Sequence, residues 1–165
     1  MKAITRSNTC LPTAAMMLAA ALAIPAAAQQ QVPFKGTFQG NDNTATHGMI
    51  TTTGTGVGTH LGQLSLTDVL TLTSACCGTG TGNWIAANGD SIDSTFVASA
   101  DFSTHSLGYI TVTETHTITG GTGRFTGAQG SFTLERTHLV ALSADGTHVT
   151  FGSFHGSITP PGALH

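Results

Sequence analysis

The stretch YITVTETHTITGGTGRFTGAQGSFTLERTHLV, residues 109–140, decides the fold. Thr111, Thr113, Thr115, Thr117 and Thr119 occupy every second position of its first third. Successive side chains of a β-strand point to opposite faces, so this rhythm puts the threonines on one face. Ile110, Val112, Glu114, His116 and Ile118 fall on the other. Threonine suits a wetted, pleated surface, and the second set is therefore expected to point inward. Gly130 to Val140 alternates in the same way: Phe132, Leu134, Arg136, His138 and Val140 oppose Ser131, Thr133, Glu135, Thr137 and Leu139. The former set is expected to face the core. Between the two strands, Gly120, Gly121, Gly123, Gly127 and Gly130 permit the backbone conformations of a chain reversal. A phosphate-cradling loop would need a helix after it, and no helix signal follows.

The same alternation extends outward. Val32 to Phe38 places Phe34, Gly36 and Phe38 on one face, and His60 to Leu66 places His60, Gly62, Leu64 and Leu66 on one face. Asn88-Gly89 predicts a two-residue type I′ hairpin that sets Ile85 opposite Ile92. Val149 to Ile158 is the last strand before Pro160-Pro161 ends pairing. About eight strands result, and the chain is all-β. A sheet with one apolar face loses its unpaired edges by closing, so a single antiparallel eight-stranded barrel is expected, with a two-sheet sandwich as the alternative.

Residues 1–28 have the form of a signal peptide: Lys2 and Arg6, then an apolar run from Ala14 to Ile24, then Pro25-Ala26-Ala27-Ala28. The barrel domain is then residues 29–165, and the protein is expected to be secreted or periplasmic. The apolar run falls well short of the ~20 residues that cross a bilayer, so no membrane anchor is expected after cleavage. Lys35, Arg124 and Arg136 remain against 8 acidic residues, a net charge of 3 − 8 = −5. Three scattered cations cannot track a phosphate backbone, which excludes nucleic acid as a partner. All 21 Gly and 27 of the 30 Thr follow residue 28, a composition that excludes helical bundles and coiled coils.

Inward parity collects His60, Glu114, His116, Arg136 and His138. Charges removed from water must be paired or reach solvent, and Glu114 and Arg136 lie on consecutive antiparallel strands, where they can meet. Two readings stand. In one the pair is a structural ion pair at a barrel end with histidines as neighbours. In the other Glu114, His116, Arg136 and His138 are catalytic: imidazole beside carboxylate moves protons near neutral pH, and Arg136 holds a carboxylate or enolate oxygen. Phe34, Phe38, Phe132 and Phe154, with His60, would line a lumen suited to an apolar or aromatic ligand. His60, Glu114, His116 and His138 would suit zinc chemically, but no diagnostic spacing is present, so neither a metal nor a cofactor is assigned. Cys76 and Cys77 are adjacent. Their Cα atoms, about 3.8 Å apart, sit below the usual disulfide range, which leaves unpaired thiols, a strained vicinal bridge and a redox role all open. No Gly-x-Ser-x-Gly elbow supports a serine hydrolase.

The run from Ile118 to Phe132, ITGGTGRFTGAQGSF, resembles a signature of small secreted bacterial proteins and the corresponding loop of the allene oxide cyclase and dirigent barrel superfamily. The Gly58-Thr59-His60-Leu61-Gly62 run and the Asn88-Gly89 hairpin add to the likeness. The resemblance implies an eight-stranded barrel whose lumen holds a small apolar molecule, an isomerase, cyclase or stereoselective coupling activity, and a homo-dimer or trimer. It transfers no lumen motif, so the site residues rest on strand parity alone. The expected function is binding of a small apolar or aromatic molecule with promotion of its isomerisation or cyclisation. The alternatives are a non-catalytic ligand-binding barrel and a Thr-rich protein that binds a surface through the Thr111 to Thr119 array.

Overall fold

Eight strands, β1 (Val32–Asn43), β2 (Met49–Gly58), β3 (Gly62–Leu72), β4 (Cys77–Ala86), β5 (Ser91–Asp101), β6 (Tyr109–Gly121), β7 (Gly130–Leu142) and β8 (His148–Ile158), follow the alternation just described. The structure is a computed structural model, and it describes residues 30–162. The proposed export segment, Cys10 and His165 lie outside the described residues. Every strand pairs antiparallel with its sequence neighbours, and β8 returns to β1 from Val32↔Ile158 to Asp42↔His148. The sheet is therefore a closed barrel and not a sandwich. Among the described residues the only helical segments are two single 3₁₀ turns, His105–Leu107 and Gly123–Phe125.

The faces of the two long strands agree with their threonine rhythm. Thr111, Thr113, Thr115, Thr117 and Thr119 are exposed, whereas Val112, Glu114, His116 and Ile118 are buried. In β7, Phe132, Leu134 and Arg136 are buried and Glu135 is exposed. Two expectations need correction. His60 does not face inward: it occupies the three-residue turn between Gly58 and Gly62, exposed, with φ at +66°. Ile85 does not oppose Ile92. Trp84 pairs with Ile92 and Ile85 with Ser91, which sends Ile85 outward. The reason lies in the turn. Only Gly89 takes a positive φ there, and Asn88 turns its side chain to Asp90, so the loop is longer than a two-residue type I′ turn and shifts the register by one.

The interior is filled by large side chains set against glycine. Gly36, Gly40, Gly54, Gly56, Gly58, Gly78, Gly80 and Gly82 share the inward parity of their strands. Gly36 pairs with Gly58 across β1 and β2, and both lie against the ring of Phe154. A cluster of touching rings occupies this half: Trp84 sits 5.0 Å from Phe132 and 4.9 Å from Phe154, and Phe34 sits 5.0 Å from Phe154. Burying each such side chain contributes about 1.5–3 kcal/mol. Leu61, Phe125, Ala128 and Ile158 seal that end, with Phe125 and Ala128 delivered by the glycine-rich β6–β7 connection. The opposite end is more open. A smaller cluster of Leu70, Phe96, Ala98 and Val112 is edged there by half-buried Ile50, Ala100 and Ile110.

The glycines are expected to be size-limited. A Cβ on Gly80 would fall 2.7 Å from Cε1 of Phe96. Gly80→Ala, which in an open strand would gain a few tenths of a kcal/mol in propensity, is expected here to cost about 1–3 kcal/mol by overpacking. Urea denaturation measures it, and a variant as stable as the parent would show that the barrel has room.

Candidate functional site

Between the aromatic half and the exposed end lies a layer of charged side chains contributed by five strands. β7 brings Arg136, β6 brings Glu114 and His116, β1 brings Asp42, and β8 and β2 add Thr150 and Thr52. All six are 5 % exposed or less. Nε of Arg136 donates to Oε1 of Glu114 at 2.9 Å, and Nη1 donates to Oδ2 of Asp42 at 2.5 Å and to Oγ1 of Thr150 at 3.2 Å. The Thr52 hydroxyl donates to the other Asp42 oxygen at 2.6 Å. His138, its side chain 12 % exposed, places Nδ1 2.5 Å from Oδ2 of Asp42. The chain of bonds thus runs from the interior to the exposed end through a single imidazole.

The inner end of the layer is organised around His116. Its ring is stacked between Phe96 and Phe132 at 4.5 and 4.4 Å, Nε2 lies 3.2 Å from Oε2 of Glu114, and Nδ1 lies 2.9 Å from the Ser94 hydroxyl. Asp68 of β3 accepts from the Trp84 indole at 3.0 Å. No buried side-chain nitrogen or oxygen among the described residues lacks a partner. A network of this kind is rigid when complete and costly when broken.

The electrostatics separate the carboxyl groups. Burial works against the Asp42 anion, but the His138 ring, the Arg136 guanidinium and the Thr52 hydroxyl outweigh it and hold its pKa below the ordinary value. Glu114 is likewise held low, burial being outweighed by Arg136 and His116. Arg136 is held above its ordinary value because the two carboxylates overcome the cost of its own burial. Asp68 goes the other way. Burial, and then the nearby Glu114 charge, push its carboxyl up to about 8, so it is protonated at neutral pH.

Strand parity thus brings Glu114, His116 and Arg136 together, and links His138 to them through Asp42. It does not bring His60, whose place in the β2–β3 turn removes it from any site shared with them. The inferred part of Arg136 in holding a ligand anion meets an obstacle, since Nε and Nη1 already serve Glu114 and Asp42. Phe34, Phe38, Phe132 and Phe154 are inward, as parity requires, but Phe34, Phe132 and Phe154 pack ring on ring with Trp84 where an open lumen would have been. The zinc set His60, Glu114, His116 and His138 is not assembled. Asp68, Glu114 and His116 are the group whose donor atoms converge, all within 4.8 Å of one another among the described residues. A cation there would have to displace the Arg136 and His116 bonds to Glu114.

Asp42, Asp68, Ser94, Thr52 and Thr150 escaped the sequence reading, though the signal was present. Asp42 has the parity of Phe34 and Phe38, and Asp68 has the parity of Leu64 and Leu66. Extending those two alternations by a few residues finds both acids. The surface grooves offer less: one of about 630 Å³ is walled mainly by the outward side chains of Thr37, Gln39, Thr55, Val57, Gln63 and Phe151. No helix among the described residues is long and apolar enough to cross a membrane. Comparisons of the chain with protein-family models, curated proteins and solved structures find no match.

Proposed function

We propose that the protein is an exported barrel that binds a small apolar, oxygen-bearing molecule at its exposed end and promotes its isomerisation or cyclisation there. The observation that carries the reading is the contact between His138 and Asp42, at the one place where the buried network approaches solvent. An anionic Asp42 accepts from Nδ1 of His138, which fixes the ring's orientation and leaves Nε2 as the nitrogen that exchanges a proton with a ligand. Among the described residues Nε2 of His138 has no hydrogen-bond partner, so it is free to meet a ligand. Arg136 and Thr52 hold Asp42, Glu114 and Thr150 hold Arg136, and His116 holds Glu114, so these act as positioning residues. Ile50, Ala100 and Ile110 supply an apolar surround at the same end, and exposed Phe102 and Leu107 stand in the β5–β6 connection beside it. Confinement of a flexible substrate in one conformer would supply the rest of the acceleration. The closed eight-stranded barrel and the glycine-rich β6–β7 connection support kinship with the allene oxide cyclase and dirigent barrels.

A second reading, a binding barrel without chemistry, is favoured by the completeness of the network, which among the described residues leaves no buried side-chain nitrogen or oxygen waiting for a substrate. One experiment separates the two. Small molecules that co-purify with the exported protein are identified by mass spectrometry, and their conversion is followed for the parent and for His138→Gln. Loss of roughly 100-fold or more in turnover with binding retained supports proton transfer by His138. Equal product formation by both proteins contradicts it, and binding without conversion by either selects the second reading.

A further inference from the structure

Away from this layer, the β3–β4 turn carries two adjacent thiols. Cys76 is exposed and Cys77 half-buried, and both are free. Their Sγ atoms lie 2.8 Å apart, inside ordinary non-bonded contact and outside the S–S bond length of about 2.05 Å. The turn that presents them is held from several sides. The Thr73 and Ser74 amides donate to the Cys77 carbonyl at 2.9 and 3.1 Å, and the Ala100 amide of β5 donates to the Cys76 carbonyl at 2.8 Å. The Thr73 hydroxyl donates to the Cys77 carbonyl as well, at 3.2 Å. Two thiols facing each other on a tied-down, solvent-accessible turn form a reactive pair.

We propose that Cys76 and Cys77 are an oxidisable dithiol, which a low-molecular-weight disulfide of the glutathione type converts into an intrachain vicinal disulfide, with Cys76 as the attacking thiol. The environment favours that order. The Cys77 thiol and the Ser74 hydroxyl, 3.6 Å away, stabilise the Cys76 thiolate and lower its pKa, while the same contact raises that of Cys77. In the first step the Cys76 thiolate attacks one sulfur of oxidised glutathione, forming a mixed disulfide and releasing one glutathione thiolate. In the second the Cys77 thiolate attacks the Cys76 sulfur, closing the ring and releasing the second glutathione thiolate. The two protons lost by the cysteines end on the two glutathione thiols, and the glutathione disulfide is the species reduced. A ring closed across one peptide bond is strained, so it reopens readily with dithiothreitol.

The test uses the full chain carrying Cys10→Ser, which leaves only this pair of thiols, exposed to oxidised glutathione and read by intact mass under non-reducing conditions. The expected result is a loss of two hydrogen masses with no thiol left to alkylate, reversed by dithiothreitol. With Cys77→Ser added, ring closure is blocked and a stable glutathione adduct on Cys76 is expected, formed several-fold faster than the adduct on Cys77 in the Cys76→Ser chain. Two alkylatable thiols remaining after oxidation, or disulfide-linked chain dimers, would overturn the proposal. Equal adduct rates would overturn the assignment of Cys76 as the attacking group.

Discussion

Arg136→Ala is expected to cost the barrel about 3–5 kcal/mol at neutral pH, a large share of the roughly 5–15 kcal/mol that holds a domain of this kind together. The substitution removes the one permanent cation of the layer and strands the anions of Asp42 and Glu114, both at most 2 % exposed. Most of the cost is that of leaving charge uncompensated, so it should shrink when the anions are neutralised. Asp42 and Glu114 have folded pKa values below their unfolded ones. Their contribution is therefore present above the ordinary carboxylate range and lost as pH falls through the folded values. The gap between parent and variant should accordingly narrow under acid conditions. Arg136→Met combined with Asp42→Asn and Glu114→Gln should recover much of the loss, since a polar or apolar replacement of a whole buried ion set is often near neutral. Urea titration of the three proteins across pH measures this. An Arg136→Ala barrel as stable as the parent would mean that Asp42 and Glu114 have water beside them.

Asp68 is expected to make the parent protein less stable as pH rises. Its unfolded value is 3.8 and its folded value about 8, so between these the folded state binds one more proton than the unfolded chain. The stability this acid contributes is complete below the unfolded value and drains away as pH climbs toward the folded one. The slope approaches 1.4 kcal/mol per pH unit at its steepest, which makes the total a matter of several kcal/mol. Asn at this position has the same shape, carries no charge and still offers an oxygen to the Trp84 indole. Asp68→Asn should flatten the decline and leave the variant more stable than the parent at pH 8. Parallel stability curves for the two proteins would contradict a buried, protonated Asp68.

The fold was readable from residues 109–140 because threonine and apolar residues there keep strict two-residue time, and one face assignment propagates to the strands on either side. The charged layer was partly readable for the same reason: Glu114, His116 and Arg136 fall on the apolar parity and need partners once buried. Asp42 and Asp68 lie a few residues beyond shorter alternations that contain glycine, where the inward parity is less marked. Gly54, Gly56 and Gly58, or Gly78, Gly80 and Gly82, resemble punctuation in a sequence. In the barrel they are inward strand positions, and at Gly58, Gly80 and Gly78 a Cβ would meet the side chains of Phe154, Phe96 and Leu70. The filling of the lumen follows from that exchange of volume between one strand and another, which the alternation within a single strand does not encode. His60 and the Ile85–Ile92 pairing failed at turns, where a change of one residue reverses every side chain beyond it.

The acids of the layer point inward, sealed from water and sorted by their neighbours. Carboxyl ¹³C chemical shifts of the folded protein, followed by NMR from acid to mildly alkaline pH, test this directly. Asp68 should titrate with a midpoint of about 8, while Asp42 and Glu114 stay ionised to below the ordinary carboxylate range. Midpoints for all three near the reference values of 3.8 and 4.5 would contradict the account.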